Sequence, residues 1–187
     1  MQGYFAVAAL GLMVFLVIFR SQQMKKLGIA AIRFGQIDRK DFLILPFVLF
    51  YVYLMIANTF QLPKVGTLLD QNPVSAWMGV ALCLIAPLLF LWGMQSFGKS
   101  FRVGIDVSQP GELVRTGAFS LSRNPLYVAF FLILMGVFLI FPTWIFFSYF
   151  VAGLWLIDRQ VCREENALRH IYGKEYDDYC EKVRRYI

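Results

Sequence analysis

Four stretches of the chain carry no Asp, Glu, Lys or Arg: residues 1–19, 42–63, 71–98 and 124–157. A helix of about 20 apolar residues crosses the hydrocarbon core of a bilayer. The first three stretches therefore predict one span each, over residues 3–19, 42–60 and 74–94. The fourth is long enough for two and is split by Pro142 into arms 126–141 and 143–157. The pattern predicts an all-α integral membrane protein of five transmembrane helices, the last two a helical hairpin. Each hairpin arm has about 15 residues, or about 23 Å at ~1.5 Å per residue, against a core of about 30 Å. Two readings are open. The arms run past their flanking charges, or the hairpin is tilted and spans only in part. In the first, the last helix continues into the cytoplasm and carries Arg159, Arg163, Glu164 and Glu165 above the membrane.

Beyond residue 158 the period changes. Val161, Leu168, Tyr172, Tyr176, Tyr179, Val183 and Tyr186 recur at spacings of three, four and seven. That predicts a cytosolic C-terminal amphipathic helix whose apolar face lies on the membrane or against the hairpin. Gly173 is the expected break, as a residue just past a helix end.

The fourth stretch starts at Arg123-Asn124-Pro125-Leu126-Tyr127, where charge gives way to apolar chain. Asn124 is of the type that caps a helix through its side-chain oxygen. Pro125 suits the first helical position, where no N–H partner is needed. A helix start at a membrane surface, with the positive end of its dipole toward polar chain, can hold an anionic group.

Charge sets the expected topology. Residues 20–40 carry six basic side chains and one acid, and residues 95–124 carry four basic side chains against Asp106 and Glu112. The intervening 61–73 holds only Lys64 and Asp70. By the positive-inside rule the two basic stretches are cytoplasmic, the N-terminus is outside and the tail inside. The net charge of +6 reads as topology and contact with membrane lipids, with no nucleic-acid partner. The N-terminal run lacks a basic leader region and a small-residue cleavage site, so it reads as a retained span. Cys83, Cys162 and Cys180 form no CxxC pair and His170 is the only histidine, which argues against a metal or haem site and against a disulfide framework.

Three polar segments are expected to meet on the cytoplasmic face: residues 101–117, with a Pro-Gly turn at 110–111; the helix start at 123–127; and the helix extension at 158–165. Each has a plain structural explanation. Arg115 and Arg123 can be topology anchors, Asn124-Pro125 a cap, Glu165 and Arg169 a surface pair four residues apart, and the tail tyrosines interfacial packing. No glycine-rich dinucleotide fingerprint, nucleophile elbow or Walker lysine is present, and the spans hold no mid-membrane charge of the kind transporters use.

Four motifs together resemble the isoprenylcysteine carboxyl methyltransferase family, including its prokaryotic members, which are related to phospholipid methyltransferases. Arg123-Asn124-Pro125-Leu126-Tyr127 is similar to its Arg-His-Pro-x-Tyr, with Asn124 in place of His. Glu164-Glu165 resembles its paired glutamates. Residues 171–179 resemble its closing Phe-Gly-x-x-Tyr-x-x-Tyr, and residues 113–119 its Leu-Val-x-x-Gly-x-Tyr, with Phe119 for Tyr. The resemblance covers residues 100–187 and implies S-adenosyl-L-methionine bound at the cytosolic surface. Carried over by motif, the binding residues are Gly104, Gly111, Glu112, Leu113, Val114, Phe119, Asn124, Pro125, Leu126, Tyr127 and Glu164. The family also places an arginine at the acceptor about one turn before its glutamates. Registration puts Gln160 there, between Arg159 and Arg163, so these two arginines share the expected catalytic role at the acceptor.

The resemblance thus divides the chain into spans at 1–98 and a cofactor-binding catalytic region at 99–187. The implied reaction is methylation of a carboxylate on a lipid-modified, prenylcysteine-like substrate that enters from the bilayer, with no metal. A carboxylate is already ionised near neutral pH, so positioning and exclusion of water suffice. The alternatives are methylation of a phospholipid amine, an NADPH-dependent reductase of a sterol- or quinone-like substrate whose extra phosphate Arg102, Arg115 and Arg123 would hold, and a non-catalytic membrane scaffold.

Overall fold

The computed structural model describes residues 1–26, 44–63, 65–67, 69, 72–98 and 112–187. Among them the elements are α1 (Gln2–Lys26), α2 (Ile44–Thr59), α3 (Pro73–Phe97), α4 (Pro125–Ile140), α5 (Trp144–Tyr172) and α6 (Lys174–Lys182), with a 3-10 turn at Gly117–Ser120. The described residues build an all-helical fold, as the hydropathy pattern predicts. α1, α3 and α5 are long and apolar enough to cross a membrane. α2 and α4 are apolar helices of 16 residues each.

Contacts at helix ends sort the bundle into two ends. At one, the Leu69 N–H donates to the Pro142 carbonyl at 2.6 Å, and Tyr4 meets Phe60 edge-on at 5.5 Å. Gly3 sits here too, so close to Thr59 and Phe141 that a Cβ would come within 2.6 Å of both side chains. At the other end the Arg20 guanidinium donates to the Gly98 carbonyl, and the Ser96 hydroxyl accepts from the Ala118 N–H at 3.0 Å. Helices α1 to α5 therefore run alternately between the two ends. The chain after α1 and the chain after α3, both rich in basic residues, leave from the same end.

Helices α3 and α4 make the closest approach. A Cβ on Gly79 would lie 2.5 Å from the Gly136 carbonyl oxygen, and one on Gly136 would lie 2.7 Å from Cys83 Sγ. Small residues let two backbones touch where lipid supplies no hydrophobic drive between helices. Around this seam Val80, Cys83, Phe90, Ala129, Ile133, Val137 and Ile140 form the core. Asn72 starts α3, its Oδ1 accepting from the Val74 N–H at 2.9 Å.

One expectation about element limits is altered, and two are met. α1 does not stop at residue 19; it runs to Lys26, because Arg, Gln, Met and Lys are good helix formers and the long basic side chains reach polar surroundings from a helix end. α5 is continuous from Trp144 to Tyr172, so the last helix does run past its charges. At ~1.5 Å per residue its 29 residues give about 44 Å, with the polar part projecting beyond the bundle. Gly173 then breaks the helix at φ 53°, its N–H donating to the Arg169 carbonyl. The tail folds back on protein: Tyr176 and Tyr179 are buried, the Tyr179 hydroxyl donates to the Phe119 carbonyl at 2.6 Å, and Tyr186 packs on Phe131 of α4 at 5.1 Å.

Candidate active site

The polar end of the bundle gathers the start of α4, the projecting half of α5, and the chain after α6. Successive residues on a helix point about 100° apart, so the adjacent Glu164 and Glu165 meet different neighbours.

Glu165 is 4% exposed. Its Oε1 accepts from Asn124 Nδ2 at 3.1 Å and lies 3.3 Å from Arg123 Nη2. Its Oε2 accepts from Arg185 Nε at 3.0 Å. Two guanidiniums and an amide thus satisfy one buried carboxylate, as a charge out of water requires. The expected surface pair of Glu165 with Arg169 does not form. Arg169 instead binds Asp177 at 2.8 Å, because Glu165 faces inward while Arg169 lies at the surface.

Asn124 also departs from expectation. Pro125 does open α4, and the Asn124 carbonyl accepts the first helical N–H, from Val128 at 3.0 Å. Its side chain makes no cap bond. The carboxamide donates instead to Glu165 and to the Arg185 carbonyl at 3.1 Å. Two oxygen acceptors in a buried setting outbid the helix N–H groups for this side chain.

Glu164 has weaker company. Its Oε1 accepts from the Tyr127 hydroxyl at 2.7 Å and from Gln160 Nε2 at 2.9 Å. Among the described residues no cation pairs with it. Burial raises its carboxyl above the ordinary 4.5, and the hydrogen bonds from Tyr127 and Gln160 oppose that rise only in part. It lies seven residues past the end of the apolar stretch at residue 157, on the projecting part of α5.

Of the residues singled out by motif, Asn124, Pro125, Leu126, Tyr127 and Glu164 come together here. Leu126 packs on Gly93 of α3, where a Cβ would lie 2.8 Å from Leu126 Cδ2. Phe119 sits beside them on Phe97 at 4.6 Å. Glu112 is exposed, and Leu113 and Val114 are half-buried; next to them Arg115 pairs with Glu175 of α6 at 3.1 Å. Gly104 and Gly111 lie outside the described residues. Arg159 is exposed, its guanidinium 5.8 Å from the Trp155 ring centre, and Arg163 is half-buried. Gln160, the residue that registration picked, is the one that reaches Glu164.

Sequence reasoning missed Arg185 and the role of Glu165. Local helix spacing points Glu165 to Arg169; nothing in the sequence links residue 165 to residue 185 across a helix break. Among the described residues, no group of three or more His, Cys, Asp or Glu side chains is placed to hold a metal ion.

The pattern of the phospholipid methyltransferase family matches residues 74–175, which takes in α3, α4, all of α5 and the start of α6. Two rice proteins, from Oryza sativa subsp. indica and subsp. japonica, are each 24% identical over 111 residues, 58% of this chain and 58% of their own length. Both bear the name probable protein-S-isoprenylcysteine O-methyltransferase. The chain thus spans just over half the length of these curated relatives.

Proposed function

The chain belongs to the phospholipid methyltransferase family, and from that premise we propose that it is an S-adenosyl-L-methionine-dependent methyltransferase acting on a lipidic acceptor at the cytosolic face of a membrane. The observation that carries this reading is Glu164: a half-buried carboxylate with two neutral hydrogen-bond donors and, among the described residues, no counter-cation. Burying an unpaired charge is costly. A ligand that brings positive charge offsets that cost, and the methyl donor carries both a sulfonium and an ammonium. Its bound form supplies a methyl on positively charged sulfur, which accepts an electron pair from the acceptor and leaves the old pair on sulfur.

The chain's own residues then have distinct tasks. Glu164 attracts the donor's positive charge, and Tyr127 and Gln160 orient Glu164. Backbone N–H groups at residues 112–114 and at the start of α4 face the donor's carboxylate, with Asn124, Pro125, Leu126 and Phe119 as walls; Gly104 and Gly111 would extend them. Arg159 and Arg163, on the same helix as Glu164, steer the acceptor by charge. In this reading α2 and α4 also span, which makes five transmembrane helices, with the N-terminus outside and the polar end of the bundle in the cytoplasm.

The names of the rice relatives favour a carboxylate acceptor that needs no base. The raised Glu164 carboxyl favours a second reading, a phospholipid amine: an ammonium must lose a proton before methylation, and a carboxylate shifted upward is better matched to take it. Glu165, already held by two arginines, is not available for that task. Methyl transfer fits the family match better than hydride transfer or a scaffold role.

The deciding assay uses the purified protein in lipid vesicles with methyl-labelled S-adenosylmethionine. A prenylated cysteine with a free carboxylate and phosphatidylethanolamine are offered in parallel. Label in a base-labile ester supports the carboxylate reading, and base-stable label in the lipid headgroup supports the amine. Absence of label from both acceptors, with the protein folded, refutes the proposal.

A further inference from the structure

Residues 183–187 follow α6 as a non-helical strap tied to the residues just before α4. Its backbone is tied at two successive carbonyls. The Arg184 carbonyl accepts from the Arg123 N–H at 3.0 Å. The Arg185 carbonyl accepts from Ser122 Oγ at 3.2 Å and from Asn124 Nδ2 at 3.1 Å. The side chains are tied as well: Arg185 Nε binds Glu165 Oε2 at 3.0 Å, and the Tyr186 hydroxyl donates to Asp158 at 2.8 Å. These bonds close a ring of three residues. Arg185 holds Glu165 through its guanidinium and Asn124 through its carbonyl, and Glu165 holds Asn124.

The ring fixes the orientation of one amide. A primary carboxamide offers two N–H donors and one acceptor oxygen. Asn124 Nδ2 stands 3.1 Å from two oxygens, Glu165 Oε1 and the Arg185 carbonyl. The reversed amide would set its oxygen lone pairs against both, losing two hydrogen bonds and adding oxygen–oxygen repulsion, with Glu165 Oε1 left to Arg123 and the Arg185 carbonyl left to Ser122. With both N–H groups spent, the carbonyl oxygen is the remaining polar atom of the side chain, and it can only accept.

We propose that Arg185 is a positioning residue for the methyl donor: through Glu165 and the strap it locks Asn124 as a hydrogen-bond acceptor for a nitrogen-borne hydrogen of the donor. The proposal rests on the reading of the α4 start and Glu164 as the donor site. It deepens that reading by giving the strap and the second glutamate a defined task. Glu164 supplies charge, and Asn124, oriented from behind, supplies direction.

The test is calorimetric titration of S-adenosylhomocysteine into the full chain in detergent, with ligand-free thermal melts alongside. Arg185→Ala is expected to fold and to bind about tenfold more weakly, the effect of one misdirected hydrogen bond near charge. In turnover assays the loss falls on KM for the donor more than on kcat. Arg185 Nη1 also lies 3.9 Å from Asp158 Oδ1; Arg185→Lys keeps the charge but cannot serve both Glu165 and Asp158, so its affinity is expected between those of wild type and Arg185→Ala. Arg169→Ala, which breaks the neighbouring exposed pair with Asp177, is expected to bind as wild type does. Wild-type affinity in Arg185→Ala overturns the proposal. If Arg185→Ala does not fold, Arg185→Lys decides: weakened binding with a near-native melt supports the lock, and unchanged affinity overturns it. If wild type and every variant alike fail to bind, the donor-site reading itself has failed.

Discussion

The apolar bundle and the polar cap of this protein are held together in opposite ways. Where α3 meets α4 the fit is steric: Gly79 and Gly136 bring the backbones into contact, and no side-chain hydrogen bond is needed. In the cap the fit is directional. Glu165 receives three donors from Arg123, Asn124 and Arg185, which come from segments far apart in the sequence. A lipid-facing bundle gains little from hydrophobicity between helices, so it relies on close packing. The cap lies beyond the apolar stretches, so it must satisfy buried polar groups one by one. Function is expected to follow the second kind of construction, because directional contacts can place a ligand and smooth packing cannot.

The largest effect should come from damaging the steric seam. Gly136→Leu sets a side chain against Cys83 Sγ and the Gly79 carbonyl, 2.7 and 2.8 Å from the new Cβ. Overpacking of this kind costs about 3 kcal/mol when backbone is the obstacle. The expected outcome is a lower midpoint of thermal unfolding in detergent, with ligand affinity intact in whatever fraction folds. A weakened affinity in that folded fraction would show that the seam also shapes the site.

Glu165→Ala comes next. It strands Arg123, whose side chain is only 12% exposed, and releases Arg185, which is 41% exposed. Breaking a fully buried pair costs about 3–5 kcal/mol; with one partner this open to solvent, about 2 kcal/mol is expected. Unlike the glycine variant, it should lose stability and donor affinity together. Loss of stability alone would reduce the cap to a second structural core.

The smallest effect belongs to Arg169→Ala. Both members of the Arg169–Asp177 pair are about half exposed, and such pairs contribute little to stability because water screens them. A melt indistinguishable from wild type is expected, and a large shift would mean that α6 depends on this pair for its position.

The bundle was far more legible in the sequence than the cap. Charge-free runs gave the helices, and Pro142 and Gly173 gave the breaks, because the period of a helix and the absence of an N–H or a Cβ are local properties. The unbroken run of α5 from Trp144 to Tyr172 was one of two open readings, since hydropathy marks where apolar residues end and not where a helix does. Motif order brought Tyr127 and Glu164 to one place, and the structure joins them at 2.7 Å. The partners of Glu165 were not legible. Three- and four-residue spacing suggested Arg169, but pairing across the Gly173 break depends on how the tail folds back. Asn124 failed for a related reason: its capping preference is local, and two tertiary acceptors override it.

In the proposed function Glu164 is the carboxylate that pairs with the donor's positive charge. Its raised titration point has a definite sign. A carboxyl shifted upward on folding contributes stability below its unfolded value of about 4.5, and that contribution is lost as pH rises through the shifted value. Ligand binding runs the other way, since the ionised form attracts the cation. The most direct measurement is S-adenosylhomocysteine affinity from pH 5 to 8 for wild type and Glu164→Gln, with ligand-free melts at each pH. Wild-type affinity is expected to rise with pH as Glu164 ionises. Glu164→Gln is expected to bind at least about tenfold more weakly at neutral pH, the loss of a charged hydrogen-bond partner, with a flat pH profile and a melt at pH 8 no lower than wild type. Equal affinities and parallel pH profiles for the two proteins would contradict this pairing.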